Sequence, residues 1–460
     1  MSTVNLYKDV KKKLDNVGCG FCLAKWTQVT MHLGMGMTHS CHHPSPHKVS
    51  EKEVLRNPSA LHNTAFKKQK RKEMLDGKRP DECNYCWNVE DNSNSFSDRV
   101  FKSSEPWSLD QYDIIKNNHW RKDYNPRYVE VSFSNTCNFK CAYCGPQYSS
   151  KWVEEVEKHG GYPTRYNFNE IESMKAAGVM PYKNTEYNPY LEAFWKWWPD
   201  LYKDLHTFRI TGGEPLLAKD TFKVLEYIQK HYDRNPNLSL ALNTNLGVPD
   251  ALIDKFIDLA KDLCENNKVR ELMLFTSIEA EGAQAEYTRY GLHSERFWAN
   301  VDKILTALPK VTINIMATFN ALSVFSYDKV IDRTFELKNK HANGQRYWTS
   351  ALQLDTSYLR WPAHLSVKIL EPEHHELILN SAKKALYYGI KEFTHGNYGF
   401  SNVEIQKIKR IHDYVKSNDD FDVEGNRKDF VKFVDELDKR RNTNFLETFP
   451  QLKDLYAKYK

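Results

Sequence analysis

Residues 135–146 read NTCNFKCAYCGP and set Cys137, Cys141 and Cys144 in the spacing CxxxCxxC. Three thiols this close together are better explained as ligands than as packing, and their number is informative. A structural zinc site takes four protein ligands in a closed tetrahedron, often as paired CxxC units. Three thiolates on a [4Fe–4S] cube instead leave one iron without a protein ligand, able to chelate a small molecule. A distorted zinc knuckle completed by a histidine from elsewhere is the alternative. Position favours the cluster: the triad follows a β-rich run, YVEVSFS (128–134), so its loop lies at the carboxyl end of a strand, where α/β folds place their chemistry.

That run is the first of six. FRIT (208–211), LSLALNT (238–244), LMLFTSI (272–278), VTINIMATF (311–319) and SALQLD (350–355) follow, and amphipathic stretches at 221–232, 250–263 and 296–308 separate several of them. Strands alternating with helices predict an α/β fold with a parallel sheet, open or curled into a partial barrel. Before this region, residues 1 to about 125 are rich in Cys, His, Lys and Asn and show little periodicity. After about 372 the chain is helical and charged, as in HHELILNSAKKALYYGI (374–390), a pattern of packing helices with a solvated face.

Composition excludes several classes. With 460 residues, 40% of them hydrophobic, the chain can bury one large core or two smaller ones. The 65 basic and 60 acidic residues leave a net charge of +5, too weak a field to argue for nucleic acid or an acidic membrane as partner. The first residues lack an apolar core of signal-peptide length, and no apolar run is long enough to span a bilayer. A cytoplasmic protein is expected. In that reducing setting nine cysteines, seven of them in two clusters, point to metal or catalysis rather than disulfides.

CxxxCxxC with an aromatic, Tyr143, before its last cysteine resembles the signature of the radical S-adenosylmethionine (SAM) enzymes. The resemblance implies that Cys137, Cys141 and Cys144 hold a [4Fe–4S] cluster whose open iron binds the amino and carboxylate groups of SAM, with Tyr143 near the adenine. TGGEPLL, after the second strand, resembles the family's glycine-rich edge: Gly212 and Gly213 let backbone approach the SAM amino group, with Glu214 beside it. Alone, Gly-Gly before an acid is commonly a turn; one strand after the triad it carries more weight. LNTN (242–245) offers Asn243 and Asn245 as polar contacts to the SAM ribose. TSIEAEGAQAEYTRYG (276–291) resembles a strand-end S-x-D followed by a helix and Arg-x-Gly, which makes Ser277 and Arg289 candidates for holding SAM, the guanidinium suiting its carboxylate. Here Glu279 replaces the usual Asp. The family's fold implies a partial (β/α)6 barrel.

The other cysteine group precedes the barrel. Cys22, Gly36 and Cys41 fit C-x13-G-x4-C, and CNYC supplies Cys83 and Cys86. This is similar to the auxiliary-cluster half of SPASM and twitch domains, where four cysteines hold a second iron–sulfur cluster; the absence of further cysteines favours the twitch form. Such a module usually follows the barrel, so the order here is permuted. Zinc is the alternative, because CxxC with His39, His42 and His43 nearby also suits a tetrahedral site. Cys19 could compete as a ligand, and Cys264 reads as a packing or surface thiol.

The expected organisation is a Cys-rich twitch-like module at 1–125, a radical SAM partial barrel at 126–370 and a helical region at 371–460. The long stretch between Cys144 and Gly212, with Trp152, Trp195, Trp197 and Trp198, reads as core or as a wall over the cluster. The resemblance implies reductive cleavage of SAM to a 5′-deoxyadenosyl radical that abstracts hydrogen from a substrate, with an external electron donor such as flavodoxin or ferredoxin and an auxiliary [4Fe–4S] cluster. A peptide is the first expectation for the substrate; the alternative is an oxidoreductase or mutase acting on a small molecule such as a sugar or nucleotide. A non-catalytic zinc or iron–sulfur protein would leave TGGEP unexplained.

Overall fold

The computed structural model describes residues 3–183, 185–342, 350–389, 399–417 and 420–460. In chain order the strands are β1 (Gln28–His32), β2 (Met37–His39), β3 (His47–Lys48), β4 (Tyr128–Ser132), β5 (Lys140–Cys141), β6 (Thr207–Thr211), β7 (Ser239–Asn243), β8 (Glu271–Thr276), β9 (Arg289–Tyr290), β10 (Thr312–Phe319) and β11 (Leu352–Tyr358). Two compact units contain them. One comprises residues 1–134, 181–212 and 230–240, the other residues 135–180, 213–229 and 241–460.

In the first unit the strand order is β3-β2-β1-β4-β6, with β1 parallel to β4 and β4 parallel to β6. Alternation sets the register: Val129 and Val131 lie opposite Phe208 and Ile210, all fully buried, while Glu130 faces Arg209 on the other side. Helix Pro189–Asp204, capped by the Asn188 side chain, buries Phe194, Trp197, Trp198 and Tyr202. Trp198 packs on Phe208 at 4.7 Å and Phe194 on Phe133 at 5.2 Å between ring centroids. Trp197 and Trp198 of this helix are therefore core, while Trp195 is half-buried. The N-terminal segment, weak in periodicity, has its own apolar cluster of Val10, Leu14, Phe21, Leu23, Trp26, Met74 and Ile115. Val10 and Leu14 come from helix Thr3–Asp15 and Trp26 from the turn Ala24–Thr27, Phe21 and Leu23 lie between them outside any helix, and Met74 and Ile115 join from helices further along, so no one periodic window displays the set.

The second unit carries the order β7-β8-β10-β11, β7 from residue 241 onward, with β8, β10 and β11 parallel. β10 is buried on both faces, as a central parallel strand requires. Helices Asp250–Glu265, Ser294–Ala307 and Tyr327–Lys340 cover it with apolar stripes such as Ile253, Phe256, Ala260 and Leu263. β5 and β9 form a separate two-residue antiparallel ladder. Helix Pro372–Tyr387 occupies most of the stretch expected to be helical at 374–390; Ile390 lies outside the described residues. Helix Val423–Arg441 buries Phe430, Phe433, Val434 and Leu437.

All six expected strands appear, and the mixed α/β architecture with its parallel-dominated sheet is consistent with a partial radical SAM barrel and C-terminal helices. β1, β2, β3, β5 and β9 were not expected: β1 is buried on both faces without alternation, and the others are two or three residues long. No helix among the described residues is long and apolar enough to cross a membrane.

One buried histidine gives this core a pH dependence. The ring of His364 lies 5.3 Å from Phe168 and 4.7 Å from Phe433, and its Nε2 has no hydrogen-bond partner among the described residues. Burial pushes it down to about 4 from an ordinary 6.5. The folded state keeps it neutral, whereas the unfolded chain takes up the proton below 6.5, so stability is lost as pH falls from 6.5 towards 4. Thermal melts at pH 7 and pH 5 should show that His364→Leu loses about 2 kcal/mol less over this interval than the unaltered protein. Equal losses would mean that His364 titrates normally in the fold.

Candidate active site

The three-cysteine loop is held from both sides by backbone hydrogen bonds. Asn135 Nδ2 donates to Pro146 O at 2.9 Å and closes the loop on itself. Helix Ser150–His159 follows at once: Ser149 caps it and donates its hydroxyl to Phe139 O at 2.6 Å, while Cys137 N donates to Ser150 Oγ at 3.2 Å. The Trp152 indole N–H donates to Cys141 O at 2.9 Å. On the other side β5 pairs with β9, Cys141 opposite Arg289, and Ala142 N donates to Thr288 O at 2.7 Å. Gly291, at φ +107°, completes this contact, since a Cβ there would stand 2.9 Å from Asn138 O.

Donors converge on the sulfurs. Phe139 N lies 3.4 Å from Cys137 Sγ, Asn245 Nδ2 3.9 Å from the same sulfur, and Arg289 Nη1 3.7 Å from Cys141 Sγ. Burial raises all three thiols above the ordinary cysteine value, Cys144 to about 12, and the neighbouring thiols raise Cys137 and Cys144 further. Thiols that resist ionisation as a group, yet face N–H donors, are a donor set that a cationic iron–sulfur group would satisfy. Among the described residues no three His, Cys, Asp or Glu side chains converge on a single metal ion.

Most of the residues expected to serve SAM gather around this loop. Gly213 lies against it: a Cβ there would stand 2.3 Å from Thr136 O, and Glu214 N donates to that same oxygen at 2.7 Å. Gly212 belongs to the first unit, at φ +123° with Ser132 Oγ 2.6 Å from where its Cβ would be. Glu214 is buried and accepts from Leu216 N at 2.9 Å, Thr244 Oγ1 at 2.8 Å and Asn245 N at 2.5 Å. Burial raises it to about 7 despite these donors. Its carboxylate therefore braces TGGEP against LNTN. Asn245 also donates to Asn138 Oδ1 at 2.9 Å, which orients it on the cysteine loop. Arg289 is paired with Glu279, Nη2 to Oε2 at 2.6 Å, and Tyr143 OH donates to Glu279 Oε1 at 3.1 Å. Asn243 and Ser277 sit half-buried at the ends of β7 and β8.

The second group of thiols also assembles. Cys22, Cys41, Cys83 and Cys86 line one cavity of the first unit together with Lys25, His43, Asp98 and Arg99. Burial raises Cys22 to about 12, with Cys41, Cys83 and Cys86 adding to the shift, and raises Cys86 to about 11. Gly36, at φ +63°, is required because a Cβ would stand 2.1 Å from the Tyr190 ring. Cys19 is exposed and donates to Gly77 O at 3.4 Å. His39 faces His32 at 3.3 Å, and His43 contacts Asp98 at 2.7 Å. Cys264 is buried in helix Asp250–Glu265, a packing thiol rather than a surface one.

The sequence reading missed Arg441, in a region expected only to pack. Its guanidinium donates to Lys140 O at 2.8 Å, pairs with Glu155 at 3.1 and 3.2 Å, and lies over the Trp152 ring at 4.9 Å. Glu155 also accepts from Lys140 at 2.5 Å and Tyr162 at 2.7 Å. Burial works against the Glu155 charge, but Arg441 outweighs it and holds the carboxyl down to about 2. The only sequence signal is Arg-Arg in a last helical turn, a common surface pattern. Removing one partner of such a buried pair costs about 3–5 kcal/mol. Arg441→Met should lower the melting temperature and the iron retained by the cysteine loop, and Arg441→Met/Glu155→Gln should recover part of both. A single variant as stable as the parent would show that the clasp is dispensable.

Comparison with known proteins bears on the same loop. Residues 131–320 match the Radical SAM superfamily model. Curated relatives include GTP 3',8-cyclase of Nautilia profundicola, 28% identical over 118 residues, and those of Sulfurovum sp. and Sulfurimonas denitrificans, each 30% identical over 118 residues. Each alignment covers 26% of this chain, and the chain spans about a quarter of those relatives' length, 26–27%. Family match and relatives together indicate an enzyme, and the cysteine triad lies near the start of the matched residues 131–320.

Proposed function

We propose that the protein is a radical SAM oxidoreductase or mutase acting on a small molecule of the nucleotide class. The observation that carries the chemistry is the set of three thiols on one braced loop inside the matched domain. Cys137, Cys141 and Cys144 would hold the [4Fe–4S] cluster. Cluster and SAM together would supply a 5′-deoxyadenosyl radical for hydrogen abstraction. The chain's own part is positioning. Gly213 keeps the TGGEP backbone against the cysteine loop, Glu214 fixes Asn245 beside Cys137, and Arg289 donates to Cys141 while Glu279 balances its charge. Asn243 and Ser277, at strand ends, are assigned to SAM's polar groups, and Tyr143 to its adenine.

A peptide substrate was the first expectation from sequence. The relatives are named for a reaction of GTP, which favours the small-molecule alternative. In the same proposal residues 1–125 form the auxiliary module, 126–370 the barrel and 371–460 the helical region. Cys22, Cys41, Cys83 and Cys86 hold a second [4Fe–4S] cluster, and a flavodoxin or ferredoxin supplies electrons. Four cysteines lining one cavity support the second cluster.

Anaerobically reconstituted, reduced protein should convert SAM to 5′-deoxyadenosine, and Cys141→Ala should abolish that conversion. Unchanged production by the variant would remove the assignment. Nucleoside triphosphates should raise the yield of 5′-deoxyadenosine several-fold over short peptides. Stimulation by peptides instead would restore the first expectation.

A further inference from the structure

The four-thiol cavity of the first unit contains a cation that links its two halves. Lys25 stands in the helical turn Ala24–Thr27, three residues after Cys22, and its side chain is only 2% exposed. Its ammonium pairs with Glu82, the residue before Cys83. One side chain thus ties the Cys22 segment to the segment that carries Cys83 and Cys86. Lys25 also lines the cavity itself.

Three further buried cations lie in this unit, of which Arg99 also lines the cavity and is paired with Asp15 and Glu90. Lys67 donates to Gln28 O and contacts His62 Nδ1 at 2.8 Å; Arg71 donates to Asn63 Oδ1 and Lys25 O. Neither has a carboxylate within ion-pair distance among the described residues. Burial presses Lys67 well below the ordinary lysine value, and the neighbouring Arg71 and Lys25 charges add to the effect. Lys25, paired with Glu82 and lining the cavity, is the cation that joins segments carrying the thiols. A buried ammonium is tolerated only where negative charge meets it, and one carboxylate together with four thiolates provides that charge.

We propose that Lys25 is a positioning residue of this site, joining the Cys22 segment to the Cys83–Cys86 segment through Glu82 and raising the reduction potential of the group the four cysteines hold. The proposal rests on that group being a [4Fe–4S] cluster. Its four thiolates leave it anionic, and uptake of one electron from an external reductant adds one more negative charge. A fixed positive charge in a low-dielectric cavity favours that reduced form. Glu82 acts in the opposite sense, cancelling part of the ammonium's field.

These opposed signs separate electrostatics from mere bracing. In a full-length Cys137→Ala/Cys141→Ala/Cys144→Ala background, which leaves the cavity as the only cluster site, the reconstituted protein should contain about four irons per chain. A dithionite titration followed by EPR then reads its midpoint potential. Lys25→Met should lower the midpoint, Glu82→Gln should raise it, and Lys25→Arg should leave it near the parent's, all with unchanged iron. Midpoints that stay put, or that move the same way in Lys25→Met and Glu82→Gln, would overturn the proposal. If Lys25→Met sheds its iron, the sign of the Glu82→Gln shift decides. If both variants shed iron, the pair is a brace and its effect on potential is refuted. Zinc instead of iron in the background protein would refute the cluster itself, a failure that elemental analysis detects before any titration.

Discussion

Thiols gathered in a protein interior repel one another as soon as they ionise, and this constraint governs both cysteine sites. Burial raises each of the seven thiols, and neighbouring thiols raise most of them further. A fold that nonetheless brings them together must hold their backbones firmly and aim donors at the sulfurs. At the three-cysteine loop, a capped helix on one side and the β5–β9 ladder on the other do the holding. The donors are Phe139 N, Asn245 and Arg289. A cluster held there would complete a set of ligands already in place, which would couple its binding to the stability of the loop.

Both sites meet the thiols with a buried cation that has its own carboxylate partner. Arg289 has Glu279, and Lys25 has Glu82. A lone buried cation would be costly to keep and would act on the thiols with its full charge. The carboxylate leaves a dipole whose positive end faces sulfur, so the field is shorter-ranged and depends on orientation. The guanidinium at the barrel loop has a rigid fork, two arms for Glu279 and one towards Cys141. The ammonium at the other site is a point charge on a flexible stem, better suited to spanning two segments than to fixing one sulfur.

The sequence was most legible where chemistry demands local spacing. CxxxCxxC is read within one loop, and each of the six long strands displays its apolar run within a few residues. Glu214 was legible as a residue but not as a contact: its partners Thr244 and Asn245 lie thirty residues on, and only the fold shows that they brace it. Arg289 was likewise found by its motif, while its commitment to Glu279 became visible only in space. The N-terminal core eluded the periodicity search because Phe21 and Leu23 lie outside any helix or strand and Met74 and Ile115 join it from far along the chain. Arg441 left no usable trace, since a basic last turn is what most solvated helices show.

Arg441 also shows why the three-cysteine loop can depend on residues far from it in sequence. Its bond to Lys140 O spans about three hundred positions, and Lys140 precedes Cys141. Helix Val423–Arg441 ends there with Asn442 in the left-handed conformation, so the guanidinium emerges at a fixed point rather than from a mobile tail. The same helix is anchored further back, where Asp429 pairs with Arg165 at 2.7 Å and Asp422 with Arg165 at 2.5 Å. Arg165 lies in the segment that follows helix Ser150–His159, the helix that carries Glu155 and Trp152. The C-terminal helix thus grips the cysteine loop and the segment beyond it at two separated points, and two points fix an orientation where one would leave a pivot. Because closing so long a loop is entropically costly, this contact is expected to form late in folding, after the barrel strands have paired. The ligand loop would then reach its final geometry only when the chain is nearly complete.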